Sequence, residues 1–147
     1  MSDGGRYRDF SVPALHDGPC RVVRVLHGDT LVIVQSPSST EVTVRLLGVQ
    51  APNPAVDGVK FAEMARTFTA AYLEEGEVRL VLDNHRLDHD GCYLAYVECG
   101  GEQLNCDLLA AGWARYCEVP GNSASLDRQL REAASFAQVE RLGMWRQ

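Results

Sequence analysis

No apolar run in the 147 residues approaches the roughly 18 that a membrane-spanning helix needs, so the chain does not read as a membrane protein. The opening stretch, MSDGGRYRDFSVP, has no apolar segment behind its charges, and an intracellular, cytoplasmic protein without a secretory signal is expected. The five cysteines (Cys20, Cys92, Cys99, Cys106 and Cys117) are odd in number and lack any C-x-x-C spacing. That argues against both a disulfide framework and a zinc ribbon, and leaves buried, reduced thiols as the expectation. Lysine is almost missing: Lys60 stands alone beside thirteen arginines. Arginine is favoured at bidentate ion pairs and interfaces, but high-GC codon usage gives the same bias, so it carries little weight. Positive charge as a whole is also short, with 14 basic against 20 acidic residues and a net charge of -6. Residues 1–27 hold four Arg against three Asp and residues 128–147 four Arg against two Glu, whereas residues 28–127 hold six basic and fifteen acidic groups. The deficit therefore lies in the body of the chain, which repels a polyanion unless a local basic groove overcomes it, and tight nonspecific nucleic-acid binding is not expected.

What is present fits one globular domain, with 46% hydrophobic and 23% charged residues. Residues 1–19 are polar and Gly/Asp-rich and read as an N-terminal arm; residues 20–147 read as the domain. Alternation over Arg21–His27, Thr30–Val34 and Val42–Leu46 predicts a three-stranded meander, broken at Gly28-Asp29 and at Ser36-Pro37-Ser38-Ser39. The prolines of Ala51-Pro52-Asn53-Pro54 predict a loop. Phe61, Met64 or Ala65, Phe68 and Tyr72 recur at helical spacing, predicting a helix over about 59–75 that ends before Gly76. Strands follow at Val78–Leu82 and Tyr93–Val97, separated by the turn Asp88-His89-Asp90-Gly91. Leu104, Leu108 and Leu109 predict a short helix ending at Gly112; Leu126, Leu130, Ala133 and Ala137 predict the last one, with Trp145 as core beyond it. Five strands with a helix between the third and fourth match an α+β fold: a five-stranded OB-type barrel with three helices.

Five ordered motifs then carry a resemblance. Val25-Leu26-His27-Gly28-Asp29-Thr30 is similar to V-x-D-G-D-T, and Arg45-Leu46-Leu47-Gly48-Val49-Gln50-Ala51-Pro52-Asn53 to R-L-x-G-I-D-x-P-E. Asp88 to Ala95 is similar to D-x-x-G-R-x-L-A, Asn105 to Gly112 to V-N-x-x-L-V-x-x-G, and Gly143-Met144-Trp145 to G-x-W. From about Cys20 to Trp145 the chain resembles the staphylococcal-nuclease or thermonuclease-like family. The resemblance implies an SNase-like OB barrel and Ca²⁺-dependent phosphodiester hydrolysis. In that chemistry two aspartates hold the metal, a glutamate orients or deprotonates water, and two arginines neutralise the phosphate. Carried over residue by residue, Asp29 stands at the first metal position and Arg45 at the first arginine position. Gln50 stands at the second aspartate, Asn53 at the glutamate and Cys92 at the second arginine, so three of the five charged groups are replaced. Tyr116, after Gly112, is the candidate for stacking on a base.

Each of these residues also has a plain structural reading. Asp29 in a Gly-Asp-Thr turn stabilises that turn, and an inward Arg45 on a strand needs a partner, for which Asp29 is the candidate. Cys92 with His27 and His89 form a weak transition-metal or nucleophilic alternative. Asp57 and Asp90 are the carboxylates available to replace the one missing at Gln50. The reading that follows is a non-catalytic SNase-like domain serving as a protein-interaction or structural module, with a protein partner or larger assembly. No cofactor is expected, with Ca²⁺ implied if the family site works. The alternatives are a weak or altered metal-dependent nuclease acting on single-stranded DNA or RNA, and a non-cleaving nucleic-acid binder using Arg45 and Tyr116.

Overall fold

The structure is a computed structural model that describes residues 14–146. Strands β1 (Gly18–His27), β2 (Thr30–Val34) and β3 (Val42–Leu46) form the expected antiparallel meander. Register shifts between Val22 and Arg24 and between Val25 and His27 bend β1, a feature that lets one long strand serve two sheets. Strand β4 (Val49–Gln50), the one-turn helix α1 (Pro54–Asp57) and helix α2 (Val59–Tyr72) come next. They are followed by β5 (Val78–Val81), β6 (Tyr93–Cys99), β7 (Glu102–Gln103) and helix α3 (Leu104–Ala110). Strand β8 (Arg115–Tyr116), helix α4 (Ala124–Glu140) and a 3-10 turn over Gly143–Trp145 complete the chain.

The main sheet runs β3-β2-β1-β5-β6, and β3 also pairs in parallel with β6, which closes a five-stranded barrel. Closure places Arg45 beside Thr30 on one side and Leu94 on the other. Leu31, Ile33, Val44, Leu46, Leu80 and Val97 fill the interior. Burying them supplies the hydrophobic term that holds the barrel together, about 25 cal/mol per Å² of apolar surface. Three helices of seven or more residues cover it, and no helix among the described residues is long and apolar enough to cross a membrane.

Two close approaches fix the helices. Gly28 lies against α2 so tightly that an added Cβ would sit 2.7 Å from the Cβ of Ala65, and the Thr69 hydroxyl donates to the Gly28 carbonyl at 2.6 Å. At the other end, Gly112 and Gly143 meet backbone to backbone, and the Met144 N–H donates to the Gly112 carbonyl at 2.9 Å. Both glycines have positive φ, so this crossing excludes side chains on two counts. Asn105, wholly buried on α3, accepts from Val97 N–H and donates to the carbonyls of Leu47 and Ala95, satisfying groups of β6 and of the segment after β3 at once.

Several expectations need correction. The ordered fold begins before residue 20: Leu15 is buried, and the Gln35 amide bonds the His16 backbone in both directions. The rest of the expected arm, residues 1–13, lies outside the described residues. The segment after Pro52 is not all loop, since Pro54 occupies the first turn of α1, where a missing N–H costs nothing. Helix α2 ends at Tyr72, three residues short of 75, and its buried positions are Ala65 and Thr69, while Met64 is exposed. Met144 rather than Trp145 is the buried residue of the last turn. Cys117 is exposed, unlike buried Cys99. Burial pushes the Cys20 and Cys106 thiols up to about 11, so these two are held as thiols.

Candidate functional site

A cleft of about 830 Å³ opens between the β1–β2 turn, the 46–54 segment, the 85–89 segment and residues 117–119. Its position follows from the fold. The buried Gly28 and Thr69 hold the turn that presents Asp29, and barrel closure presents Arg45. Pairing of β4 with β8, Gln50 opposite Arg115, brings the far wall into place. Asp29, Arg45, Gln50 and Asn53 all line this cleft, so the structure brings four of the sequence-derived residues together.

Asp29 has both carboxylate oxygens engaged. One accepts from the Thr30 hydroxyl at 2.9 Å and the other from the Ala51 N–H at 3.0 Å, which stitches the hairpin turn to the 46–54 segment. Its expected pairing with Arg45 is not made. Arg45 instead donates to Asp88 at 2.9 Å and to Asp90 at 3.3 Å. The reason is the turn over Asp88–Cys92, where one Asp88 oxygen accepts from both Asp90 and Cys92 N–H groups and leaves the other aimed at the guanidinium. Burial works against the Arg45 charge, but Asp90, Asp88, Cys92 and Asp29 together hold its proton more tightly than usual. The sequence shows Asp88 as turn chemistry and as the head of a motif; its role as the partner of Arg45 depends on the β3–β6 pairing, which no local pattern encodes.

Asn53 caps α1. Its side-chain oxygen accepts from Ala55 N–H at 2.9 Å, while its own N–H donates to Asp57 at 2.9 Å. Asparagine is among the best residues for this position, which gives Asn53 a structural reason to be there. Asp57 in turn receives a bidentate pair from Arg115 at 2.8 and 3.0 Å, and the Arg115 guanidinium lies 5.6 Å from the Trp145 ring centroid. The Arg115 bond first, then the Asn53 N–H, holds the Asp57 carboxyl below the ordinary aspartate range. Gln50 is exposed and makes no side-chain hydrogen bond among the described residues. The two carboxylates that the sequence offered as replacements, Asp57 and Asp90, are both engaged by arginines.

Cys92 does not line the cleft, although His27 and His89 do. Burial, and after it Asp88, raises the Cys92 thiol pKa, which opposes thiolate chemistry. Among the described residues no three of His, Cys, Asp and Glu gather in a group able to hold a metal ion. Tyr116 faces away from the cleft: it lines a smaller groove with Arg131 and Trp145, and its hydroxyl donates to Asp127. Burial first and that bond second push the phenol up to about 12. Of this stretch it is Cys117, Glu118 and Val119 that line the cleft.

A closed five-stranded barrel with a cleft at the β1–β2 turn and three covering helices defines a class of protein. The sequence profile described as "Staphylococcal nuclease homologue" matches residues 43–147. The chain is similar to the thermonuclease of Staphylococcus intermedius, 33% identical over 127 residues, covering 84% of this chain and 74% of the relative. It is also similar to the thermonuclease of Staphylococcus hyicus, 27% identical over 148 residues, covering 99% of this chain and 86% of the relative. The protein belongs to the staphylococcal nuclease homologue family, whose thermonucleases are typically Ca²⁺-dependent.

Proposed function

We propose that this protein is a non-catalytic member of the family, retained as a protein-interaction or structural module. The observation that carries the reading is the state of the cleft's charged groups. Arg45 is neutralised by Asp88 and Asp90, Asp29 is tied to Thr30 and Ala51, and the positions of the second metal aspartate and the glutamate hold neutral Gln50 and the helix cap Asn53.

The residues present do not fit Ca²⁺. That ion takes six to eight oxygens, usually with several carboxylates among them, whereas Asp29 is the only carboxylate at the carried-over metal positions and both its oxygens already accept hydrogen bonds. An amide at Asn53 has no basic lone pair to accept a proton near neutral pH, and loss of a general base forfeits about 10²–10⁴ in rate. A thiol at Cys92 in place of a phosphate arginine forfeits roughly a further 10²–10³.

A weak or altered nuclease is the second reading, favoured by the thermonuclease names of both relatives and by Asp29 and Arg45 on one cleft wall. Cleavage of labelled single-stranded DNA and RNA over Ca²⁺, Mg²⁺ and Mn²⁺ titrations separates the two, with Asp29→Ala protein as the contamination control. No cutting above the control is expected; metal-dependent cutting that disappears with Asp29→Ala establishes the second reading.

A further inference from the structure

We propose that the cleft docks an extended segment of a partner protein that is both basic and apolar, one or more arginines or lysines set among aliphatic residues. The inference deepens the module reading above and rests on it. Two independent features of the lining lead to it. The first is an apolar floor and rim: Val49, Pro52, Pro54 and Val119 line the cleft, and Leu87 stands at its edge half exposed. An exposed aliphatic side chain at the mouth of a deep groove is surface that a ligand removes from water.

The second feature is charge. Among the described residues Arg45 is the one Lys or Arg in the lining, against Asp29, Asp88 and Glu118, with Asp90 just behind Arg45. Because Asp88 and Asp90 already neutralise Arg45, the negative charge of Asp29 and Glu118 faces the cleft with no further Lys or Arg, the other polar lining being His27, His85 and His89, neutral in their ordinary form at pH 7. Glu118 is exposed and makes no hydrogen bond or ion pair among the described residues. Arg86 sits between the lining residues His85 and Leu87 but is not in the lining itself. A phosphodiester meets repulsion in such a groove, and a cationic side chain meets attraction reinforced by the acidic body of residues 28–127. A purely apolar peptide leaves the carboxylates unpaired, and a purely basic one leaves the floor wet, so the occupant carries both characters.

The test is selection of a random nonapeptide phage library on the immobilised full-length protein, with Leu87→Lys protein for counterselection. The Leu87 side chain is half exposed and its only β-bridge, to Tyr93, is made through the backbone, so this variant keeps the fold, which circular dichroism verifies. Enrichment of Arg- or Lys-containing aliphatic peptides over the variant is expected. A synthetic copy of the enriched peptide, followed by fluorescence anisotropy, then binds about three- to fivefold more weakly to Glu118→Gln protein, the loss of one partly screened ion pair. It binds at least tenfold more weakly to Leu87→Lys, which loses apolar contact and adds a repelling charge. Enrichment of acidic peptides, no enrichment over the variant, or stronger binding of a dodecameric single-stranded DNA than of any selected peptide overturns the proposal. None of these results involves cleavage, so the docking proposal and the non-catalytic reading fail by separate measurements.

Discussion

Asn105 and Asn53 are the same residue type in the same chain, and the difference between their surroundings separates the two halves of this molecule. Asn105 sits in the core with its oxygen and its amide nitrogen both satisfied, bridging α3, β6 and the segment after β3. Asn53 sits on the cleft rim, caps a single helical turn and leaves the cleft without a carboxylate at that position. The core cluster closes the barrel, whereas the cleft residues spend their polar groups on local hydrogen bonds and ion pairs. Architecture and chemistry are thus held by different residues, and the second can change while the first stands.

That separation can be broken most forcefully from the core side. Asn105→Leu leaves the Val97 N–H and the Leu47 carbonyl unpaired in the interior, and a loss of about 4 kcal/mol in denaturant unfolding is expected. Gly28→Val drives a side chain into Ala65 and pushes α2 off the barrel; about 2–3 kcal/mol is expected by the same measurement, with distortion of the turn that carries Asp29. On the cleft side the effects shrink. Asp29→Ala removes two hydrogen bonds at the surface of the turn and is expected to cost about 1 kcal/mol.

The smallest effect sharpens the comparison through pH. Asp57 is depressed below an unfolded value of about 3.9, so the Arg115–Asp57 pair contributes in full above that value and is lost as pH falls through the depressed one. Arg115 is 40% exposed, so screening limits the contribution to about 0.5–1 kcal/mol. Asp57→Asn is expected to lower stability by that amount at pH 7 and by less at pH 3, below the unfolded value, as read by urea melts at the two pH values. Equal losses at both pH values assign the effect to Asn53 capping instead of the ion pair.

Most of the barrel was legible in the sequence because period-two alternation and turn residues are local signals. The α1 turn was not, since Pro54 read as a breaker when its position made it a starter. The arm boundary failed because the ties that order this segment are long-range: His16 to Gln35 across 19 positions and Asp17 to Leu82 across 65. The cleft residues Asp29, Arg45, Gln50 and Asn53 were found through ordered motifs. Their partners were not, because Asp88 and Arg115 reach Arg45 and Asp57 across 43 and 58 positions of sequence, contacts set by the β3–β6 pairing and by the β4–β8 pairing beside α1. Tyr116 lines the smaller groove with Arg115 because its hydroxyl is bound to Asp127 on α4, eleven positions away, a contact that the strand pattern does not encode.

On the proposed reading the barrel is intact and hydrolysis is lost because Gln50, Asn53 and Cys92 stand where the resemblance implies an aspartate, a glutamate and an arginine. The direct measurement compares the parent protein with the Gln50→Asp, Asn53→Glu, Cys92→Arg triple variant for Ca²⁺-dependent cleavage of labelled single-stranded DNA. Cleavage by the triple variant and none by the parent is the predicted result. Cleavage by the parent that is lost with Asp29→Ala, or a folded triple variant that stays inert, contradicts the account.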